Sequence, residues 1–182
     1  MNNFRLLFPR LYVPSIFEID LDWLHQQGIR GLMLDLDNTI ICRNLEHFSA
    51  GIVAWIKELK RKNFRVCIIS NNLPKRVYAL AQELDLPAVC QGIKPLAAPF
   101  RRALGVLGTA PQETAIVGDQ IFTDILGGNR LGLYTILVNP LPGKEFWATR
   151  LINRQLEKLV LWWLKRRKAE DFRRGRQNER KD

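Results

Sequence analysis

Cysteine, histidine and long apolar runs are all scarce in this sequence. Its three cysteines, Cys42, Cys67 and Cys90, are odd in number and widely spaced. That excludes a disulfide framework and a cysteine zinc site, and it points to a reducing compartment. Two histidines, His25 and His47, are too few and too scattered for a His-based metal centre. The longest stretch without a charge is thirteen residues, 131–143, broken by Gly and Pro. A spanning helix needs about 18 apolar residues, so no transmembrane segment is expected. The N-terminal residues hold no unbroken apolar core, so no secretory signal is expected either.

What is present describes one ordinary domain. Of 182 residues, 47% are hydrophobic and 25% charged, enough apolar material for a single core and too much for a disordered chain. The net charge is +10 and unevenly placed. Residues 150–182 hold twelve Lys/Arg against five Asp/Glu, whereas residues 1–149 hold sixteen against thirteen. The body is near neutral and the tail is basic. A basic tail suits an acidic partner: nucleic acid, an anionic membrane or simply solvent.

In the middle of the chain, short apolar runs alternate with longer segments of helical period. Strands are predicted at 31–35, 65–70, 88–90, 114–118 and 134–138, and helices at 49–62, 74–84, 95–107 and 121–131. This alternation predicts an α/β fold with a five-stranded parallel sheet covered on both faces. Ligands of such sheets sit beyond the carboxyl ends of the strands. Those ends read Leu34-Asp35-Leu36-Asp37-Asn38-Thr39, Ile69-Ser70-Asn71-Asn72, Lys94-Pro95, and Val117-Gly118-Asp119 continuing to Asp124.

Carboxylates gathered at one edge repel one another unless a cation joins them. Asp35, Asp37, Asp119 and Asp124 suit a hard, oxygen-liking ion, for which Mg²⁺ is the natural choice. Lys94 adds a fixed positive charge and Ser70 a hydroxyl donor. These are the parts of a phosphoryl-transfer site, where catalysis is mostly positioning and charge neutralisation. Each residue also has a plainer reading. Strand-end acids often cap the next helix, and Asp124 could cap the one ending at Leu131. Asn71 could serve only to shape its loop, and Thr39 only to hydrogen-bond the loop of Asp35. Gly127, Gly128 and Gly132 fit tight turns and close packing better than a nucleotide, because their spacing is not G-x-G-x-x-G.

Taken in order, the D-x-D-x-T run at 35–39, Ser70, Lys94 and the G-D-x-x-x-x-D run at 118–124 resemble the haloacid dehalogenase superfamily of phosphatases. The wording Asp-Leu-Asp-Asn-Thr, Ser-Asn-Asn, Lys-Pro and Gly-Asp-Gln-x-x-Thr-Asp-x-x-Gly-Gly-Asn-Arg-x-Gly is similar to its YqeG branch in subfamily IIIA. That branch is similar in turn to the phosphatidylglycerophosphate phosphatases of mitochondria and plastids. Thr149-Arg150 and Asn153-Arg154-Gln155 extend the likeness into the tail. The resemblance implies a three-layer α/β/α Rossmann-like fold. It implies that Asp35 attacks phosphorus and becomes an aspartyl phosphate, while Asp37 protonates the leaving alcohol and then deprotonates water. It further implies that Asp35, the backbone carbonyl of Asp37, Asp119 and Asp124 hold Mg²⁺, and that Ser70 and Lys94 bind phosphoryl oxygens. Thr39, Asn71 and Asn72 are the remaining phosphate-binding candidates.

Many members of this superfamily insert a cap domain over the site. Here about nine residues, Ile40 to Phe48, separate Thr39 from the next predicted helix, and only a helix and a short strand fit between Ser70 and Lys94. Neither gap holds a domain. The site is therefore expected to be open and its substrate large: a lipid head group, a nucleic-acid end or a phosphoprotein. Residues 145–172 read as a long helix with Ala148, Ile152, Leu156, Leu159 and Trp163 on one face. Within it, Trp162 and Trp163 precede Lys165, Arg166, Arg167 and Lys168, which resembles an interfacial anchor. Packing of this helix on the sheet and a nucleic-acid tail are the alternatives.

The expected division is an N-terminal arm (1–30), a capless core (31–143) and a basic amphipathic helix and tail (144–182). The expected activity is Mg²⁺-dependent hydrolysis of phosphatidylglycerophosphate to phosphatidylglycerol. The protein would sit peripherally on an anionic membrane, on the cytoplasmic or organelle-matrix side. A phosphatase of nucleic-acid ends or phosphoproteins, and a phospho-accepting regulatory module, are the alternative functions. Nucleic acid is not the first choice, because no strand platform alternates aromatic and basic residues.

Overall fold

Apolar runs with no polar alternation become strands buried on both faces. Leu32, Met33 and Leu34 are all fully buried, and their neighbours on either side follow the same rule. The computed structural model describes residues 3–90 and 92–141. Its strands are β1 (Leu11–Val13), β2 (Gly31–Leu34), β3 (Arg65–Ile69), β4 (Ala88–Val89), β5 (Thr114–Gly118) and β6 (Tyr134–Val138). They form one sheet in the order β1-β6-β5-β2-β3-β4, with every neighbouring pair parallel.

The helices are α1 (Leu21–Gln26), α2 (Ala50–Arg61), α3 (Pro74–Glu83), α4 (Ala97–Leu107) and α5 (Leu126–Leu131). Alternate strand residues serve opposite layers. Leu32, Leu34, Val66, Ile68 and Val117 pack in one core with residues of α1, α2 and α3. Met33, Cys67, Ile69 and Ile116 pack in the other with Phe100, Ala103 and Leu107 of α4. Gly127 and Gly128 let α5 lie close: an added Cβ would come within 2.4 Å of the Phe100 ring and 2.5 Å of Ile116 Cγ2. The plain packing role of these glycines is what the structure displays.

The sheet has six strands where the sequence predicts five. The extra one, β1, comes from the N-terminal arm and pairs with β6 from Leu11↔Ile136 to Val13↔Val138. It is too short to show a period of two, so it carries no pattern signal. The Asn129 Nδ2 group holds the segment before it, donating to the carbonyls of Leu6 at 2.8 Å and Phe8 at 2.9 Å. Ile16, Ile19, Leu24 and Ile29 of the same arm are buried in the core. Helix α1 is likewise absent from the sequence reading, being less than two turns long. The predicted helix at 121–131 begins instead as a wide π turn, Ile121–Ile125.

Helix starts are built in two ways. Asp20 and Ser49 cap α1 and α2 through side-chain oxygens that accept from Trp23 N–H and Ile52 N–H. At α3 and α4 the cap positions are Leu73 and Leu96, which offer no side-chain hydrogen bond. Among the described residues no helix is long and apolar enough to cross a membrane. The expected C-terminal helix, with Trp162, Trp163, Lys165, Arg166, Arg167 and Lys168, lies outside the described residues.

Candidate active site

Because every strand runs the same way, the segments after β2, β3, β4 and β5 leave from one edge. Asp35 directly follows β2, and its N–H donates to the Val117 carbonyl at 2.9 Å, so it lies beside the end of β5. Asn38 takes the left-handed conformation at φ 62°, which Asn tolerates. Its N–H donates forward to the Ile41 carbonyl at 2.7 Å and closes the turn that carries Thr39, directly after Asp37. The loop after it stays short, and Glu83 of α3 accepts from the Phe48 N–H at 3.0 Å. Among the described residues no domain is inserted there or between β3 and Lys94.

Lys94 is the centre of the buried charge. Its Nζ donates to Asp35 Oδ1 at 2.5 Å, to Asp124 Oδ1 at 2.6 Å and to the Ile69 carbonyl at 3.1 Å. Lys94 is 3% exposed and Asp124 wholly buried. Gly118 makes this possible, since a Cβ there would fall 2.3 Å from Asp124 Cγ. Asp124 Oδ2 also accepts from the Gln120 N–H at 3.2 Å. The Thr39 hydroxyl lies 3.3 Å from both Asp35 Oδ2 and Asp119 Oδ1 and bridges the two acids.

Three carboxylates share this one ammonium, and the electrostatics show the mismatch. Burial pushes the Asp119 carboxyl up to about 8, with Asp35 and Asp124 adding to it and Lys94 opposing. Burial likewise raises Asp124 to about 6; Lys94 opposes and Asp35 adds. For Lys94, burial works against the charge, but Asp124 and Asp35 outweigh it and hold the ammonium above its ordinary value. Oxygens of Asp35, Asp119 and Asp124 all lie within 4.8 Å of one another. A compact set of hard oxygen donors with surplus negative charge fits a divalent cation such as Mg²⁺.

In front of this cluster is a cleft lined by Asp35, Asp37, Ser70, Asn71, Asn72 and Lys94. Asp37 is not among the three metal-fitting carboxylates. Its Oδ2 accepts from Asn72 Nδ2 at 2.7 Å, and its Oδ1 lies 3.5 Å from Arg76 Nη2. Ser70 Oγ accepts from the Asn72 N–H at 3.1 Å, which leaves the hydroxyl proton to donate. The Asn71 amide is bonded at both ends to Lys94: Oδ1 accepts from its N–H at 2.8 Å and Nδ2 donates to its carbonyl at 3.3 Å. Thr39 does not line the cleft; it binds the acids from behind.

The predicted site residues Asp35, Asp37, Ser70, Asn71, Asn72, Lys94, Asp119 and Asp124 are thus brought together. Asn38, Arg43, Gln120 and Thr123 also line the cleft, and Arg76 pairs with Asp37; sequence reasoning passed over all five. Arg43 and Arg76 each follow a motif by a few residues. A cation soon after a strand-end motif is the signal that could have found them.

Comparison with known proteins agrees with this geometry. A profile of haloacid dehalogenase-like hydrolases matches residues 10–132. The chain is 34% identical over 163 residues to "Probable phosphatase YqeG" of Bacillus subtilis (strain 168), covering 90% of this chain and 94% of that protein. It is 28% identical to the chloroplastic/mitochondrial "Phosphatidylglycerophosphate phosphatase 1" of Arabidopsis thaliana, over 89% of this chain but only 48% of that protein. Among solved structures, an uncharacterized protein of Listeria monocytogenes serotype 4b superposes with a TM-score of 0.51 at 16% identity. That match covers 64% of this chain and 84% of the other, and it concerns the fold alone. With the catalytic-edge acids, the profile match and the Bacillus relative in agreement, the chain belongs to the haloacid dehalogenase-like hydrolase family.

Proposed function

We propose that this protein is a Mg²⁺-dependent phosphomonoester hydrolase that works through a phosphorylated Asp35 and converts phosphatidylglycerophosphate to phosphatidylglycerol. The observation that carries the reading is one arrangement: Asp35 opens to the same cleft as Asp37, Ser70 and Lys94, and is backed by Asp119 and Asp124. Asp35, Asp119 and Asp124, with the backbone carbonyl of Asp37, would hold Mg²⁺. Bound there, the ion supplies positive charge against phosphoryl oxygens.

The chain's own groups account for the proton and bond changes. A carboxylate oxygen of Asp35 attacks phosphorus, and the bond from phosphorus to the alcohol oxygen breaks. Asp37 gives that oxygen its proton. Water then attacks the same phosphorus, Asp37 takes up its proton, and the bond to Asp35 breaks to release inorganic phosphate. Ser70 donates its hydroxyl to a phosphoryl oxygen, and Lys94 neutralises the group while keeping Asp35 in place. Asn72 orients both Asp37 and Ser70. Asn71 acts at one remove, by fixing the loop that carries Lys94.

The lipid substrate is supported by the open cleft and by the named activity of the Arabidopsis relative. The tail residues Trp162, Trp163, Lys165, Arg166, Arg167 and Lys168 would hold the enzyme on an anionic membrane, as a peripheral protein of the cytoplasmic or matrix side. The test is phosphate release by the purified chain with Mg²⁺ from phosphatidylglycerophosphate in mixed micelles, with Asp35→Asn as control. Release that disappears in the variant is expected. Silence on this lipid alongside turnover of another phosphomonoester would overturn the assignment.

A further inference from the structure

The loops of the catalytic edge present large apolar side chains to solvent. Leu45 follows β2, Leu73 follows β3, Ile93 and Leu96 follow β4, and Phe122 follows β5. Leu73 is 73% exposed, Ile93 67% and Leu96 58%. Each of the four loops that supply a catalytic motif contributes at least one. Phe17, after β1, is exposed as well, but its loop also carries Glu18 and Asp20. The loops at the opposite edge (27–30, 62–64, 84–87, 108–113 and 132–133) hold no exposed large apolar side chain.

Two of these residues also contradict the needs of their own helices. Leu73 and Leu96 occupy the cap positions of α3 and α4, where Ser, Thr, Asp or Asn would satisfy a free N–H. Helices α1 and α2, which start at the same edge of the sheet, do carry such caps in Asp20 and Ser49. Ile93 and Leu96 bracket a turn closed by Leu96 N–H to the Ile93 carbonyl at 2.9 Å. Within that turn Lys94 is buried at the site while its two apolar neighbours face water. Side chains placed against both solvation and capping call for something that covers them.

We infer that this edge is itself a lipid-docking face, whose apolar rim enters the interfacial layer of an anionic phospholipid bilayer so that a phosphorylated head group meets the cleft directly. The inference rests on the phosphatase reading and adds a surface distinct from the tail. The occupant follows from the pattern. The apolar residues stand on separate loops around a polar cleft, and the rim also carries Arg43 and Lys75, both exposed, against Glu46, the one fully exposed acid of the described residues in these loops. Separate apolar contacts mixed with cations match an anionic lipid surface. Among the described residues no inserted domain stands between that surface and Asp35.

The test places an environment-sensitive fluorophore on the full chain at Leu96→Cys and, as the opposite-edge control, at Gln112→Cys. The unmutated chain sets the background, since Cys67 and Cys90 are buried and Cys42 half-buried. Vesicles are phosphatidylcholine with about 30 mol % phosphatidylglycerol. A blue shift at position 96 and none at 112 is expected. In parallel, with phosphatidylglycerophosphate added to the same vesicles, Leu73→Ser combined with Leu96→Ser should lower the ratio of turnover on vesicles to turnover of a water-soluble phosphomonoester by roughly tenfold. Vesicle binding without a shift at 96, no vesicle binding at all, or an unchanged ratio would each overturn the inference. A rim that instead joins two copies, shown by a dimer lost in the Ser variant, would overturn it too. The fluorophore needs no turnover, so a chain that docks but leaves phosphatidylglycerophosphate intact refutes the substrate and spares the surface.

Discussion

The two edges of the sheet use charge in opposite ways. At the amino edge, long cations close loops by bonding to backbone. Arg65 Nη1 donates to the carbonyls of Leu107 at 3.0 Å and Gly108 at 2.7 Å, and Lys60 Nζ donates to those of Leu84 at 3.1 Å and Asp85 at 2.7 Å. These contacts are exposed or only partly buried. At the carboxyl edge Lys94 is buried and bonds to two buried acids. Burying unbalanced charge opposes folding. Among the described residues its presence at one edge alone shows where folding has yielded to chemistry.

The sharpest way to break that contrast is at the nucleophile. Asp35→Asn should cost about 10⁴-fold or more in phosphate release, with the fold retained by circular dichroism. Residual activity near the wild-type level would remove Asp35 from the mechanism.

Next in size is a matched pair of lysines. Lys94→Met strands Asp35 and Asp124, and should cost about 3–5 kcal/mol in urea unfolding. Lys60→Met, at the other edge, should cost about 1 kcal/mol. Equal losses would mean that the two edges do not differ in the way described.

The third prediction concerns pH. Folded Asp119 keeps its proton up to about pH 8, whereas an unfolded Asp releases it near its ordinary value of 3.8. The folded state therefore binds the extra proton across that window, and the metal-free protein loses stability as pH rises from about 4 to 8. Asp124 adds the same sign up to about pH 6. Mg²⁺ favours the ionised acids, so the gain in melting temperature on adding it should be larger at pH 8 than at pH 5. A gain that is flat or reversed with pH would mean that the ion does not meet these carboxylates.

The smallest effect has the opposite sign. Leu73→Ser and Leu96→Ser each restore a helix cap and should stabilise the fold by about 0.5–1 kcal/mol, while Ser49→Ala should destabilise it by a similar amount. Differential scanning calorimetry resolves the shift of a few degrees that this implies. Destabilisation by the two serines would show that the leucines hold the fold together.

Most of the site was legible because its chemistry is local in sequence. Asp35, Asp37, Ser70, Lys94 and Asp119 stand at strand ends, and apolar runs mark strand ends well. The central strands and the helices from Ser49 onward were legible for the same reason. Strand β1 and helix α1 were not, because neither is long enough to establish a period. Arg76 was missed because its partner Asp37 lies on another strand's loop, a contact that only the parallel order of β2 and β3 creates. Thr39 and Asn71 were legible as site residues, but their tasks depend on contacts far along the chain. Thr39 reaches Asp119, and Asn71 reaches Lys94.

Strand β1 also matters to how the protein survives in a crowded cell. The edges of the sheet are β1, three residues long, and β4, two residues long. Such short edges are poor templates for another chain. A form cut after Pro14 would uncover the five-residue β6, whose residues from Thr135 to Val138 are all buried. That exposed ladder invites pairing between molecules. Proteolytic loss of the arm would thus show itself first as insoluble protein, before any loss of chemistry at the far side of the sheet.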